Sequence, residues 1–489
     1  MATYDYDLGV IGGGAAGLTV AAGAAQLGAR VLLVEKDGRL GGDCLHYGCV
    51  PSKTLIKTAR VYHLVRNARR YGLPEARVGP VEFRAVAERI RGVIATIQRH
   101  DSEERFCGLG VRVVYGEPGF VDEHEVSWGQ GRASAAKWVL ATGSSPAVPD
   151  VPGLREAGYL TNRELFSLGA LPASLVVLGG GPIAVEMAQA FCRLGSRVTV
   201  IQRSGQILSR EDRDMAGAVQ AALEGEGVTF LLETAVKEVR RAGGLKEVVV
   251  VRAGREEAVR AADILVALGR RANVEGLRLE NAGVAVGKKG VTVDARLRTS
   301  ARHIFAAGDV TGEHQFTHAA GYEGGVVVAN AVFRLPRKAD YTWLPWCTYA
   351  DPELASIGLN ESRAHAAGHE VRVVTEEFRG NDRALAEGES GGKLKLVLDE
   401  KERPLGVQIL GLHAGELLGE WSAVLSGGVK LTSLAGAVHA YPTLSEISKR
   451  VAGTYLSDKI FSDKVRKVLH LLFQTKGRAC GPEAGAGPG

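Results

Sequence analysis

A strand–glycine–helix–strand unit occurs twice in this chain, with its glycine clusters 167 residues apart. That repeat restricts the fold more than any other feature. In the first copy the apolar run Tyr6–Ile11 reads as a buried parallel strand, and Gly12-Gly13-Gly14-Ala15-Ala16-Gly17 follows it. An alanine-rich helix then runs to about Leu27, Gly28 stops it, and Val31–Val34 is a second strand closed by Glu35. In the second copy Leu175–Leu178 is a strand, Gly179-Gly180-Gly181-Pro182-Ile183-Ala184 is the turn, a helix runs through Leu194, and Val198–Ile201 is the next strand. Each copy is one βαβ half of a doubly wound nucleotide-binding sheet.

The glycine spacing carries the chemistry. Gly12 allows the tight turn, Gly14 lets backbone approach a pyrophosphate, and Gly17 lets helix pack on strand, with helix N–H groups aimed at the phosphates. Glu35, 18 residues beyond Gly17, is placed to accept from ribose hydroxyls. In the second copy the pattern is Gly179, Gly181 and Ala184. Gln202 stands at the acidic position and Arg203 follows, so no carboxylate repels a 2′-phosphate. The expectation is NADPH, with NADH as the alternative.

The 489 residues allow about three or four domains. A hydrophobic share of 45% and a charged share of 24% are those of an ordinary soluble protein. Net charge is +5, but no basic run reaches the length that marks nucleic-acid binding, so no nucleic-acid partner is expected. The N-terminus has no signal-type pattern and the chain has no membrane-span-length apolar run; a cytoplasmic location is expected. Ser144–Gly153 is a proline-rich linker that sets a boundary near 150, and the texture becomes α+β from about Tyr341. The basic amphipathic segment 457–472 is expected to pack as a helix on its own domain, with membrane-surface contact as the alternative. The Gly- and Ala-rich stretch 476–489 is expected to be disordered.

Six cysteines do not make a disulfide scaffold, and only Cys44 and Cys49 are close in sequence. They lie in Gly41-Gly42-Asp43-Cys44-Leu45-His46-Tyr47-Gly48-Cys49-Val50-Pro51-Ser52-Lys53, six residues after Glu35. Placement at a helix start lowers a thiol's pKa and favours the thiolate. Gly41 and Gly42 would permit close approach to a flat ring. A zinc site needs two further ligands at short spacing, and only His46 is near. A redox-active pair is the reading preferred over zinc or an inert pair.

The segment Gly41–Lys53, both glycine fingerprints and the run Ile304-Phe305-Ala306-Ala307-Gly308-Asp309 together resemble the flavin-dependent pyridine nucleotide–disulfide oxidoreductases of the lipoamide dehydrogenase, glutathione reductase and mercuric reductase type. The resemblance covers about residues 5–470. It implies an α/β fold: two doubly wound dinucleotide-binding domains, for FAD and NAD(P), plus a C-terminal α+β dimerisation domain. The implied boundaries are 1–150 (FAD, first part), 151–271 (NAD(P)H), 272–339 (FAD, return) and 340–475 (interface). It further implies a homodimer and electron flow from NAD(P)H through FAD and a disulfide to an acceptor. Cys49 would be the thiol beside the flavin and Cys44 the one that exchanges with the acceptor. Lys53 would pair with Glu186 near the flavin, and Asp309 would hold the ribityl chain. Gly42, Thr142, Gly143 and Gly269 would line the cofactors.

The chain departs from the first two types at Val438-His439-Ala440-Tyr441-Pro442-Thr443-Leu444-Ser445-Glu446. Lipoamide dehydrogenases and glutathione reductases carry a catalytic histidine before this proline, supplied with its glutamate by the partner subunit. Here Tyr441 stands there and Glu446 remains. His439, two positions earlier, would share Tyr441's face in an extended segment and is read as structural. A tyrosine with its ordinary pKa is a poor proton shuttle at neutral pH. Mercuric reductases are similar to this chain at Tyr441 and Glu446, and a soft metal ion suits a thiolate pair. The expected acceptor is therefore Hg(II), held transiently by Cys44 and Cys49. Against that group's pattern, only Cys480 stands where a vicinal cysteine pair relays the metal, and Pro182 replaces a gating tyrosine of some family members. The alternatives are a lipoamide or small-disulfide reductase, a pyridine nucleotide transhydrogenase, and a flavin redox sensor or membrane-associated partner.

Overall fold

The computed structural model describes residues 3–129 and 131–477. Cys480 and most of the stretch 476–489 lie outside the described residues.

The first glycine unit forms the centre of a five-stranded parallel sheet ordered Ile304–Ala306, Trp138–Leu140, Leu8–Ile11, Val31–Glu35, Val111–Tyr115. Register pairs Val10 with Leu33 on one side and Val139 on the other. The three central strands are buried throughout, which is why they read as unbroken apolar runs. Helix Ala15–Gln26 follows the glycine turn and packs against helix Thr317–Ala331. Their approach is close: a Cβ at Gly324 would lie 2.9 Å from the Thr19 side chain. Because Ile304–Ala306 pairs with Trp138–Leu140, chain that follows the second nucleotide fold returns to the first.

The second copy builds a four-stranded parallel sheet ordered Thr229–Leu231, Arg197–Ile201, Ser174–Leu178, Asp263–Val266. Three antiparallel strands, Thr234–Ala242, Leu245–Arg252 and Arg255–Ala261, are inserted before its last strand. The run read as a proline-rich linker is partly a strand: Ser144–Pro146 pairs antiparallel with Arg270–Ala272. The way into the second fold and the way out thus form one ribbon.

The chain forms two compact units, residues 1–354 and 355–489. In the C-terminal unit the strands Glu353–Gly358, Pro404–Gly411, Lys393–Asp399 and Val371–Glu377 are neighbours in that order. The basic tail is not one helix. Glu446–Ile460 ends at Phe461, and a second helix, Asp463–Phe473, begins after Ser462, whose hydroxyl accepts from Val465 N. No residue of that second helix is buried, so the expected packing on its own domain is not what the structure shows. Among the described residues no helix is long and apolar enough to cross a membrane.

Candidate active site

The cysteine segment follows the first sheet directly. Cys44 lies in the short helix Gly42–His46, and Cys49 opens the long helix Cys49–Arg66. Gly41 and Gly42 take left-handed backbone, φ 108° and 62°. Their neighbours are protein. A Cβ on Gly42 would sit 2.7 Å from the Gly14 Cα, and one on Gly41 would meet Leu45 at 2.5 Å. Gly42 therefore lets the cysteine loop pack against the first fingerprint, and Gly41 lets the loop close on itself. His46 is buried, and its Nε2 lies 2.8 Å from the Leu40 carbonyl. Burial holds the ring below the usual histidine pKa, so it is neutral and donates there. Among the described residues no cluster of three or more histidine, cysteine or acidic side chains is arranged to hold a metal.

Both cysteines are free thiols here, and they do not share one pKa shift. A hydrogen bond from Cys44 is the largest influence on Cys49, with Thr317 and the Lys53 charge acting the same way; together they lower Cys49 to about 6. The same hydrogen bond, then burial, pushes Cys44 well up. One proton is thus shared unequally, and the thiolate resides on Cys49. Both cysteines stand in the first turn of a helix, yet only Cys49 is lowered, so its partners and not helix position alone separate the two. Thr317 Oγ1, at the start of helix Thr317–Ala331, lies 3.4 Å from Cys49 Sγ and donates to the thiolate. Lys53 follows Cys49 by one helical turn. Its Nζ is 2.8 Å from Glu186 Oε2 and 4.4 Å from the centre of the Tyr349 ring. The other Glu186 oxygen accepts from Tyr349 N at 2.9 Å, so this buried carboxylate is fully engaged.

Asp43 ties the cysteine loop to the ribbon between the two nucleotide folds. Arg270 Nη2 donates to Asp43 Oδ2 at 2.9 Å and to the Ser144 carbonyl at 2.8 Å. Ser144 Oγ in turn donates to Asp309 Oδ2 at 2.5 Å, and burial raises the Asp309 pKa. From the start of the second fold, Asn162 donates to the Tyr47 carbonyl at 2.9 Å, and the Arg163 guanidinium lies 4.3 Å from the Tyr47 ring centre. The sequence reading missed Asp43, Asn162, Arg163, Thr317 and Tyr349 as site residues. Asp43 was legible as part of the cysteine segment; the others have no local motif.

The remaining residues form two cradles. Glu35 Oε2 accepts from Gly13 N at 2.6 Å and Oε1 from Asp37 N at 2.8 Å, beside the first fingerprint. Helices Ala15–Gln26 and Pro182–Leu194 begin at Gly14 and Gly181 with no side-chain cap and no acid in the first turn. Their N–H groups suit phosphates. Gly17 is needed for packing, since a Cβ there would sit 1.8 Å from the Gly12 carbonyl oxygen, and Gly12 and Gly179 crowd the carbonyls of Ala141 and Ala267 in a similar way. Gly181 differs. Its φ is an ordinary −78°, and a Cβ would meet no protein atom within 4 Å. Neither conformation nor packing demands glycine there; a pyrophosphate close to the backbone does. Gly143 and Gly269 likewise face open space at strand ends. Thr142 Oγ1 donates to the Asn273 carbonyl at 2.7 Å. Gln202 donates to Ser204 Oγ at 2.6 Å, and Arg203 is exposed beside an open pocket of about 460 Å³ whose lining includes Ser204 and Arg213. These cradles fit two dinucleotides.

In the C-terminal unit Tyr441 is 71% exposed, and its hydroxyl donates to Asp382 Oδ2 at 2.8 Å, which raises its pKa further. Glu446 begins helix Glu446–Ile460 and accepts from Thr443 N at 3.3 Å. His439 does not share Tyr441's face. Its ring is turned inward, with Nε2 2.8 Å from Glu420 Oε1. This hydrogen-bond partner, on helix Ala414–Ser426, overrides the two-residue alternation of an extended segment.

The family described as pyridine nucleotide-disulphide oxidoreductase matches residues 6–324, and its dimerisation domain matches 344–452. Mercuric reductase from Staphylococcus aureus is 33% identical over 456 residues, covering 93% of this chain and 83% of that one. Dihydrolipoyl dehydrogenase from Geobacillus stearothermophilus is 34% identical over 458 residues, covering 92% and 96%. Among solved structures, the HOCl-induced flavoprotein disulfide reductase RclA from Escherichia coli superposes with TM-score 0.82 at 28% identity, covering 92% of this chain and 99% of that one; a Cu(II) complex of it is similar too. With the paired cysteines and both dinucleotide cradles in place, the chain belongs to the pyridine nucleotide-disulphide oxidoreductases, flavoproteins that use FAD and NAD(P)H.

Proposed function

We propose that this protein is a homodimer that passes electrons from NADPH to a soft electrophilic acceptor, with Hg(II) reduced to Hg(0) as the specific reaction. The observation that carries the reading is a strongly asymmetric thiol pair whose C-terminal acid–base position holds a neutral phenol, Tyr441, in place of an imidazole. Cleaving an organic disulfide requires a proton for each leaving thiolate, and a phenol with a raised pKa delivers it poorly at neutral pH. Binding a soft metal ion requires only sulfur ligands that can lose their protons.

Bound FAD would supply hydride acceptance from NADPH and two-electron reduction of the Cys44–Cys49 disulfide. The chain's own residues do the rest. Two electrons and one proton, together the equivalent of the hydride, break the S–S bond and give a Cys49 thiolate and a Cys44 thiol. Lys53 and Thr317 hold the charge on Cys49. Hg(II) captured by both sulfurs releases the Cys44 proton to solvent; two further electrons break both Hg–S bonds to give Hg(0), and one proton taken up from solvent restores the Cys44 thiol beside the Cys49 thiolate. Tyr441 and Glu446, which the family pattern places at the neighbouring subunit's site, would help hold the metal. Gln202 at the position where a carboxylate would favour NADH, with Arg203 beside it and Arg213 in the adjacent pocket, favours NADPH, although Glu233 also lines that pocket.

The test is NADPH oxidation by the purified protein with Hg(II) in excess thiol, beside the Cys44→Ala variant. Fast oxidation that the variant loses supports the assignment. No stimulation by Hg(II), while NADPH still bleaches the flavin, defeats it. The similarity to dihydrolipoyl dehydrogenases favours one second reading, a small-disulfide reductase, for which lipoamide turnover in the same assay is the discriminating arm.

A further inference from the structure

Helix Asp463–Phe473 lies beyond the matched dimerisation domain, which ends at 452, and none of its residues is buried. Its apolar side chains, Leu471 excepted, fall in one pattern. Val465, Val468, Leu469, Leu472 and Phe473 recur at i, i+3, i+4, i+7 and i+8, which is one stripe of a helix. Leu472 and Phe473 are 65% and 71% exposed, and Phe461, just before the helix, is 66% exposed. Eleven residues is below the length at which an isolated helix holds its shape in water, so an open apolar stripe needs a cover.

Charge decides what kind of cover. Residues 463–476 hold four cations, Lys464, Arg466, Lys467 and Lys476, and one anion, Asp463. Four less one is +3, out of +5 for the whole chain. A second copy seated on the stripe in a two-fold arrangement would bring the same cations face to face, which opposes pairing. A stripe of large apolar side chains flanked by lysine and arginine instead matches a helix lying in a lipid–water interface. There the apolar face enters the acyl boundary and the cations meet anionic headgroups.

We propose that helix 463–473 docks the protein on an anionic lipid surface. The stripe of Val465, Val468, Leu469, Leu472 and Phe473 enters the interface, and Lys464 and Arg466, on its two flanks, contact headgroups, while Lys467 on the far face adds to the attraction at a distance. The docking is independent of which acceptor the active site reduces.

The test is co-sedimentation of the full-length holoprotein with vesicles of phosphatidylglycerol and phosphatidylcholine, beside vesicles of phosphatidylcholine alone. The expected result is at least about tenfold stronger partitioning to the anionic vesicles, weakened in about 0.5 M salt. A Leu472→Glu/Phe473→Glu variant should lose the partitioning while NADPH-driven turnover and dimer mass stay unchanged. A Lys464→Glu/Lys467→Glu variant should lose the preference for anionic vesicles. Failure of the wild type to partition, or equal partitioning by wild type and the Leu472/Phe473 variant, overturns the proposal. A fall in oligomer mass in the Leu472/Phe473 variant also overturns it, since a second copy would then be the cover.

Discussion

At the scale of single residues, the unequal thiol pair is the feature with the most direct consequences. In the reduced protein Cys49, held at about 6, is mostly thiolate at neutral pH. Its alkylation rate, followed by mass spectrometry, should therefore rise with pH, inflect near about 6 and flatten above neutrality. Cys44, pushed up, should react slowly across that range. Replacing Thr317 by valine removes a donor to the thiolate, and replacing Lys53 by methionine removes a nearby positive charge; each should move the Cys49 inflection upward. An inflection unmoved in both variants would remove these residues from any role at the sulfur. Cys44 and Cys49 were legible from their spacing, but their inequality was not. Thr317 lies 268 positions from Cys49 and belongs to no motif, so only folding reveals it as a neighbour.

At the scale of elements, the two glycine turns share one spacing and differ in what each position tolerates. Gly17→Ala forces a Cβ against the Gly12 carbonyl, backbone against backbone, and nothing flexible can give way. A loss of about 2 kcal/mol or more in urea unfolding is expected, with reduced FAD content. Gly181→Ala meets open space at an ordinary φ, so stability should stay within about 0.5 kcal/mol of wild type. The KM for NADPH should rise, because the methyl group occupies the path of the pyrophosphate. Steady-state kinetics beside the unfolding curve separates the two effects. Helix Pro182–Leu194 also carries a buried ion-pair knot: Arg193 lies 2.6 Å from Glu226 and 2.9 Å from Asp351, with its side chain 5% exposed. Arg193→Met leaves Asp351 with Arg60, at 3.7 Å, and Glu226 with Gln189, at 2.9 Å, and should cost about 1–3 kcal/mol by the same measurement. The helix itself was legible from its period, whereas its partners Glu226 and Asp351 were not, being 33 and 158 positions away.

At the scale of the whole molecule, the matched dimerisation domain supports a homodimer, and the proposed function sets Tyr441 at the neighbouring subunit's cysteines. If Tyr441 serves the neighbouring subunit's cysteines, Cys44→Ala and Tyr441→Phe chains, each weak alone, should complement when dissociated and mixed. Random pairing leaves roughly a quarter of the sites intact, and Hg(II)-dependent NADPH oxidation should recover to about that fraction. No recovery would place Tyr441 at its own subunit's site or outside the reaction.

The sequence by itself determined the two nucleotide-binding folds, the order of the chain through them and the reactive cysteine pair. Each is written in a short stretch where strand, turn, helix and glycine spacing act locally. Tertiary structure alone decided which sulfur carries the charge, that Arg270 clamps Asp43, and that His439 turns inward to Glu420. It also decided that the last helix leaves its apolar stripe uncovered. Those outcomes depend on distances between side chains remote in sequence and on which faces find a partner. Periodicity shows that a face exists, and only the packed chain shows what lies against it.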